Sequence, residues 1–122
     1  MGTFQTAIEV GDLAAGRFRP VDALVDTGAS YTTLPESLLR DLGVTPHAER
    51  AFLLATGESI TRPIGRTWVR VDGRQEMTIV VFADEGAMPL LGAVTLEEMG
   101  LGVDPLSQKL IPVPGLLTAS LG

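Results

Sequence analysis

The stretch VDALVDTGAS, residues 21–30, places Asp26 at the end of an apolar run and then breaks into Thr27-Gly28-Ala29-Ser30. A surface turn is normally flanked by polar residues, whereas Ala23-Leu24-Val25 precedes this aspartate. Burial of an unpaired carboxylate costs free energy and raises its pKa. We therefore predict that the chain carries Asp26 into an apolar interior for a chemical purpose, with a plain turn in a β-barrel as the alternative, since Asp and Gly also form turns.

The residues behind Asp26 suit a carboxylate that transfers protons. Gly28 can adopt backbone angles that other residues avoid, and it lets the chain or a substrate approach closely. Thr27 offers a hydroxyl to a neighbouring backbone group, and Ala29 leaves space beside the carboxyl group. These properties predict a shaped loop around Asp26.

Length and composition predict one domain spanning residues 1–122. The chain has 122 residues, of which 45% are apolar and 20% charged, and a domain of this size buries about two thirds of its unfolded surface. No apolar stretch approaches the roughly 20 residues that a membrane span requires. Residues 114–122 are predicted to be a tail or a strand of a dimer interface.

The charges and the missing cysteines exclude several classes of function. The net charge is −6 and the cationic residues are scattered, which argues against a nucleic-acid partner because no basic stripe can neutralise phosphates. The absence of Cys and a single His47 disfavour a zinc site, so we expect no metal and no cofactor. The start of the chain has neither a basic nor an apolar signal region, and we expect a soluble, cytoplasmic protein. Gly2 and Thr6 match a myristoylation pattern, but a strand in this segment is the favoured interpretation.

Strand patterns dominate the chain. They cover residues 4–10, 19–25, 51–55, 67–71 and 75–83. Asp72-Gly73 between the last two of these is typical of a β-hairpin. A further turn at Asp104-Pro105 lies between apolar segments. The sequence therefore predicts a mainly β fold.

Two short helices are also predicted. Residues 35–42 have Pro in the first turn and Gly43 where a left-handed residue often ends a helix. Residues 95–99 begin with a Thr-x-x-Glu pattern that predicts a capping box at Thr95, and Gly100 follows them. Both helices are too short to be stable alone, so we expect them to pack on the sheet.

The sequence from Asp22 to Ser30 resembles the active-site loop of the retropepsin-like aspartic proteases. Leu90-Leu91-Gly92, followed by Ala93 to Met99, is similar to the second conserved element of that family. Leu54 to Ser59 takes the place of the flap, a hairpin that closes over the substrate. Ile64-Gly65-Arg66 and Gly102-Val103-Asp104 particularly resemble cellular members such as the protease-like domain of DNA-damage-inducible shuttle proteins. The resemblance implies an acid-protease barrel with one or two short helices.

The chemistry of such a protease requires two carboxylates, one ionised to activate water and one protonated to polarise the carbonyl. This chain has a single Asp-Thr-Gly, so the second Asp26 must come from another copy across a two-fold axis. We therefore expect a homodimer that cleaves extended, apolar-rich peptides. The resemblance implies that the catalytic residues are Asp26, Thr27 and Gly28, and that Thr27 bonds across the dimer. It also implies that the substrate is bound by Ala29, Ser30, Leu54, Ala55, Thr56, Gly57, Glu58 and Leu90, with Val81, Phe82 and Val94 as further apolar walls.

Two departures from the retroviral pattern lie in the same site. Many retroviral enzymes have Asp where this chain has Ser30, and Arg where it has Ala93; the two charges are paired in that family. Losing both leaves no unpaired buried charge, so the fold is compatible with the change while the grip on substrate differs. The alternative function is a catalytically inactive, protease-like module that binds peptides or dimerises.

Overall fold

The structure is a computed structural model in which residues 3–118 are described. These residues form β1 (Phe4–Gly11), β2 (Phe18–Val25), β3 (Thr32–Pro35), α1 (Glu36–Asp41), β4 (Ala48–Leu53), β5 (Ser59–Val71), β6 (Arg74–Ala83), β7 (Leu90–Leu91), α2 (Ala93–Met99), β8 (Leu101–Asp104) and β9 (Lys109–Pro112).

Seven of these strands form one sheet in the order β1-β2-β7-β3-β6-β5-β4. A second pairing joins β1 to β5, through Glu9 opposite Arg70 and Val10 opposite Val69, and curls the sheet toward a barrel. Strands β8 and β9 form a separate two-stranded sheet. The prediction of a mainly β fold with short helices is confirmed.

The core follows from the alternation of side chains along the strands. Ile8 and Val10 of β1 and Ala23 and Val25 of β2 are buried, while Glu9 and Leu24 between them are more exposed. Strand β6 is buried continuously from Thr78 to Ala83 because α2 packs on it and β5 and β3 flank it. This core supports the end of β2, where the loop at Asp26 begins.

Two hairpins match the sequence prediction. Asp72 and Gly73 have φ of 50° and 77°, the positive values that a tight hairpin turn needs, and β5 pairs with β6 from Val71 opposite Arg74. Strands β4 and β5 pair from Leu53 opposite Ser59, so residues 54–58 form the tip of a second hairpin. The hairpin expected in the position of a flap is therefore present.

The predicted capping box is wrong. Helix α2 begins at Ala93 with Gly92 as its N-cap and has no side-chain cap. Thr95 lies inside the helix and is fully buried, with its hydroxyl directed toward neighbouring strands instead of the helix end. The end of the helix is as expected, since Gly100 is left-handed with a φ of 67°.

The C-terminal segment is extended in its described part. Residues 113–118 form neither helix nor strand, and Leu116 and Leu117 are 95% and 81% exposed. Residues 119–122 of the predicted tail and Gly2 of the myristoylation pattern lie outside the described residues. Across residues 3–118, neither helix has the length and apolar character to span a membrane.

Candidate active site

Asp26 is the first residue after β2 and opens the loop to β3. Its backbone N–H donates to the carbonyl of Leu91 at 3.1 Å, which ties the loop to β7. One carboxylate oxygen, Oδ1, accepts a hydrogen bond from the Gly28 N–H at 2.9 Å. The carboxylate is thus held in a defined direction by its own loop.

The predicted burial of Asp26 is wrong for the single chain. Asp26 is half-buried, and Thr27 and Gly28 beside it are exposed. The physical reason is that the apolar residues before Asp26 belong to β2 and help to form the core. The loop that begins at Asp26 leaves the sheet at the end of that strand. The carboxylate therefore lies at the surface of this chain.

Helix α2 supports the loop from below. The N–H groups of Ala93 and Val94 donate to the carbonyls of Ala29 and Ser30, each at 2.9 Å. Gly92 makes this approach possible, because a Cβ there would lie 2.5 Å from the carbonyl carbon of Tyr31. The Leu-Leu-Gly element and the loop are therefore joined by backbone contacts that only glycine permits.

Three fully buried threonines, Thr32, Thr78 and Thr95, lie behind this junction. The Gly92 N–H donates to Thr32 Oγ1 at 3.1 Å, and Thr32 and Thr95 hydroxyls lie 2.6 Å apart. The Thr95 and Thr78 hydroxyls are 2.8 Å apart, and Thr78 donates to Glu98 at 2.6 Å. Thr78 gives its only hydroxyl hydrogen to Glu98, so it must accept from Thr95, and Thr95 must in turn accept from Thr32. Each of the three hydroxyls therefore accepts one hydrogen bond and donates one.

A cleft of about 560 Å³ lies between the loop and the β4–β5 hairpin. It is mostly apolar, with polar groups near its rim. Its lining residues are Gly28, Ala29, Ser30, Tyr31, Thr33, Ala51, Phe52, Leu53, Leu54, Ile60, Arg62, Val81, Ala83, Asp84 and Ala87. A cleft of this composition suits an extended peptide with apolar side chains.

The structure brings together part of the predicted site. Among the predicted substrate-binding residues, Ala29, Ser30 and Leu54 line the cleft. Asp26 and Thr27 border an adjoining depression that also includes Phe4. The remaining predicted residues lie away from the cleft lining: Ala55, Thr56, Gly57 and Glu58 form the exposed hairpin tip, and Leu90 pairs with Leu24 and Thr33 in the sheet.

Of the apolar walls suggested by the resemblance, only Val81 lines the cleft. Phe82 is a core residue with 2% exposure. It faces away from the cleft because neighbouring residues of a strand point to opposite sides of the sheet. Val94 is half-buried and packs with Ile64, Ile79 and Val81.

Sequence reasoning missed the polar rim of the cleft. Arg62 forms an ion pair with Asp84 at 3.1 Å. Tyr31 packs edge-on against Phe52, with ring centroids 5.9 Å apart, and its hydroxyl accepts a hydrogen bond from Arg50 at 2.9 Å. The signal that could have revealed this rim was the alternation of side chains along the hairpin strands, which places Arg50 and Phe52 on one side of the hairpin.

A second carboxylate near the rim has a structural role. The backbone N–H of Ser37, followed by the Ser37 hydroxyl, holds the pKa of Glu85 below its ordinary value. These bonds measure 2.9 Å and 2.8 Å. Glu85 thereby fastens the loop after β6 to the first turn of α1.

Residues 7–104 match the protein family described as aspartyl protease. The chain belongs to the aspartyl protease family. The predicted enzyme class, an aspartic-type endopeptidase, is confirmed through this membership. No curated protein sequence matches the chain.

Solved structures show the same fold for this aspartyl protease. The EIAV protease complexed with the inhibitor HBY-793 superposes with a TM-score of 0.61 at 19% identity, covering 84% of this chain and 93% of that one. The solution structure of the simian foamy virus (mac) protease gives 0.55 at 19% identity, covering 76% and 91%. The predicted retropepsin-like fold is thus confirmed.

Proposed function

We propose that this aspartyl protease cleaves peptide bonds as a homodimer, with one Asp26 from each subunit forming the catalytic pair. The observation that carries the proposal is the state of the Asp26 carboxylate. Gly28 fixes one oxygen, and the other has no hydrogen-bond partner within residues 3–118. Such a group is oriented for a partner that residues 3–118 of its own chain do not supply.

The proposed reaction uses the two carboxylates with one proton between them. The ionised Asp26 removes a proton from water, and the water oxygen forms a bond to the peptide carbonyl carbon. The protonated Asp26 donates its proton to the carbonyl oxygen. When the C–N bond breaks, a proton passes to the leaving nitrogen and the pair regains its single proton.

The surface around the loop supports an interface between two copies. Thr27 is exposed and lies between two depressions. Their apolar lining includes Phe4, Val25, Val103, Leu96, Leu101, Val113 and Pro114. A self-complementary interface here would cover Asp26 and bring two loops together across a two-fold axis. We propose that Thr27 joins the loops and that residues 114–122 contribute to this interface.

The cleft supports an extended peptide as substrate. The hairpin tip at residues 54–58 is exposed on one side of the cleft, and the loop of Asp26 forms the other side. A peptide between them can add as a strand through main-chain hydrogen bonds, while its side chains enter the apolar cleft. Movement of the tip over the peptide would exclude water from the carboxylates.

The proposal is tested by mixing subunits. Wild-type protein is incubated with increasing amounts of Asp26→Asn and assayed on an unfolded protein substrate, after sedimentation has established the dimer. Mixed dimers hold only one ionisable Asp26, so activity should fall as the variant is added. Asp22→Asn, the same change on the exposed side of β2, is the control: it keeps Asp26, so its own dimers and its mixed dimers with wild type should be active and added variant should not lower the activity.

Three results would contradict the proposal. They are an active monomer, wild-type activity that excess Asp26→Asn leaves unchanged after subunit exchange, and an Asp26→Asn homodimer as active as wild type. The pH profile adds a further measurement, since a coupled pair gives a bell shape with two apparent pKa values that belong to the pair. The Asn homodimer is expected to lose at least about 10⁴-fold in kcat.

A further inference from the structure

Two arginines occupy directly opposite positions on the hairpin over the cleft. In the β4–β5 register, Arg50 lies opposite Arg62, and Phe52 lies opposite Ile60. Opposite residues of an antiparallel pair share one face, and so do residues two apart on a strand. Phe52, Ile60 and Arg62 line the cleft, and Arg50 lies just outside the lining, bonded to the hydroxyl of Tyr31, which does line it.

The arginine pair is not balanced by carboxylates of the described chain. Like charges directly opposite one another destabilise a sheet. Arg62 is paired with Asp84, but the Asp84 side chain is 81% exposed while that of Arg62 is 33% exposed. Arg50 makes no ion pair with any residue from 3 to 118; it bonds to the Tyr31 hydroxyl and lies over the Tyr31 ring, 5.8 Å from its centroid. Of the two guanidinium groups, only that of Arg62 has a carboxylate partner within residues 3–118, and that carboxylate is solvated, in a protein whose net charge is −6.

We propose that this arginine pair is a specificity site that selects an acidic side chain of the substrate, best a glutamate. The proposal rests on the function proposed above. The glutamate methylene groups would pack on Phe52 and Ile60, and its carboxylate would accept hydrogen bonds from Arg62 and Arg50. A bound carboxylate relieves the repulsion between the two cations, and arginine binds carboxylates through paired N–H groups.

The first experiment finds out what the protein cleaves. The dimeric protein is incubated with a proteome-derived peptide library, and the cut ends are sequenced. We expect glutamate to be enriched at one position near the scissile bond, with apolar residues adjacent to the bond. Cleavage without acidic enrichment, or enrichment of lysine at every position, would overturn the inference while leaving the protease function intact.

The second experiment compares one cleaved peptide carrying Glu, Gln or Lys at the enriched position. We expect kcat/KM for Glu to exceed that for Gln by about tenfold or more, the contribution of one charge-assisted hydrogen bond. The double variant Arg50→Met, Arg62→Met should bring this ratio near one. Arg66→Met is the matched control, because Arg66 is exposed on β5 and does not line the cleft; it should keep the wild-type ratio. An unchanged ratio in the double variant would contradict the assignment.

The protonation of the substrate gives a readout that altered packing would not reproduce. The Glu-to-Gln ratio should fall toward one below about pH 4, where a peptide glutamate becomes neutral. Binding of the same three peptides to Asp26→Asn separates recognition from cleavage. If wild type cleaves nothing, the proposed reaction fails, and the Glu, Gln and Lys versions of one library peptide that binds the protein then test the site: tighter binding of the Glu version would support it and equal binding would overturn it.

Discussion

The two sides of the cleft are built differently. The floor comprises the loop at residues 26–30, β7 and the start of α2, and it is tied by backbone hydrogen bonds and by buried threonines. The roof is the β4–β5 hairpin at residues 48–64, whose tip is exposed and bonded only within itself, through Leu54 to Glu58 at 2.8 Å and Gly57 to Leu54 at 2.9 Å.

The two sides of the cleft meet two different requirements of peptide hydrolysis. The carboxylates must be positioned closely relative to the scissile bond, because small displacements reduce the rate steeply. The peptide must also enter and leave, which requires a segment that opens at low free-energy cost. The floor suits the first requirement and the roof the second. The same substitution in each region should therefore have unequal effects.

The largest effect is expected for Gly92→Ala in the floor. The added Cβ would lie 2.5 Å from Tyr31 C and 2.9 Å from Thr32 N. Both atoms belong to the backbone, so β3 or α2 must move. We expect the free energy of unfolding to fall by about 3 kcal/mol or more, measured by urea denaturation, with loss of protease activity.

Gly16→Ala is the control for this change. A Cβ at Gly16 would meet nothing within 4 Å, so stability should change by less than about 0.5 kcal/mol. A Gly92→Ala protein as stable as wild type would show that the floor yields easily. The contrast between floor and roof would then be lost.

A smaller effect is expected for Thr95→Val, which keeps the shape of the side chain and removes its hydroxyl. The Thr32 and Thr78 hydroxyls would each lose a partner in a fully buried place. Leaving a buried polar group without a hydrogen-bond partner costs about 1–3 kcal/mol. We expect the free energy of unfolding, measured by urea denaturation, to fall by an amount in this range. Thr95→Ser retains the hydroxyl and should lose less; a greater loss in Ser than in Val would contradict a polar role.

Local turn chemistry made much of this fold predictable. Asp72-Gly73 and Gly43 adopt the positive φ that the sequence indicated, since a few neighbouring residues decide such angles. The sequence around Asp26 also identified the loop and the element beneath it. The expectation of a buried carboxylate failed because the alternation of side chains predicts burial only within a strand. Asp26 lies just beyond the end of β2, where that rule no longer applies.

Long-range contacts were not predictable in this way. The hydroxyls that meet Thr95 belong to residues 63 and 17 positions away in the chain, so a local reading assigned Thr95 to a helix cap. The facing arginines, Arg50 and Arg62, depend on the register of β4 and β5. That register follows from the length of the hairpin tip, which the sequence placed only approximately.

Gly57→Ala is the same substitution as Gly92→Ala, made in the roof instead of the floor. Gly57 has a φ of 91° with nothing within 4 Å of the Cβ position, so the cost is backbone strain, about 1 kcal/mol. Because the exposed tip can relax, we expect the free energy of unfolding to fall by no more than about 1 kcal/mol in urea denaturation, and KM, measured on a cleaved peptide, to rise by up to about fivefold. A stability loss equal to that of Gly92→Ala would show that the roof is held as firmly as the floor.

The smallest effect is expected at Glu85, which joins neither region. Ser37 holds the pKa of Glu85 below its ordinary value of 4.5. A lowered pKa in the folded protein gives stability that is present above the unfolded pKa and is lost as the pH falls through the folded value. Glu85→Gln should therefore lower Tm slightly at neutral pH, and this difference should disappear in acid, measured by thermal denaturation across a pH series. Because Glu85 is exposed, a Tm difference larger than that of Thr95→Val, or one that grows in acid, would contradict this account. A protease that works in acid gains nothing from this contact, which leaves the floor hydrogen bonds between backbone groups and threonine hydroxyls, which do not titrate in that range, to hold the site.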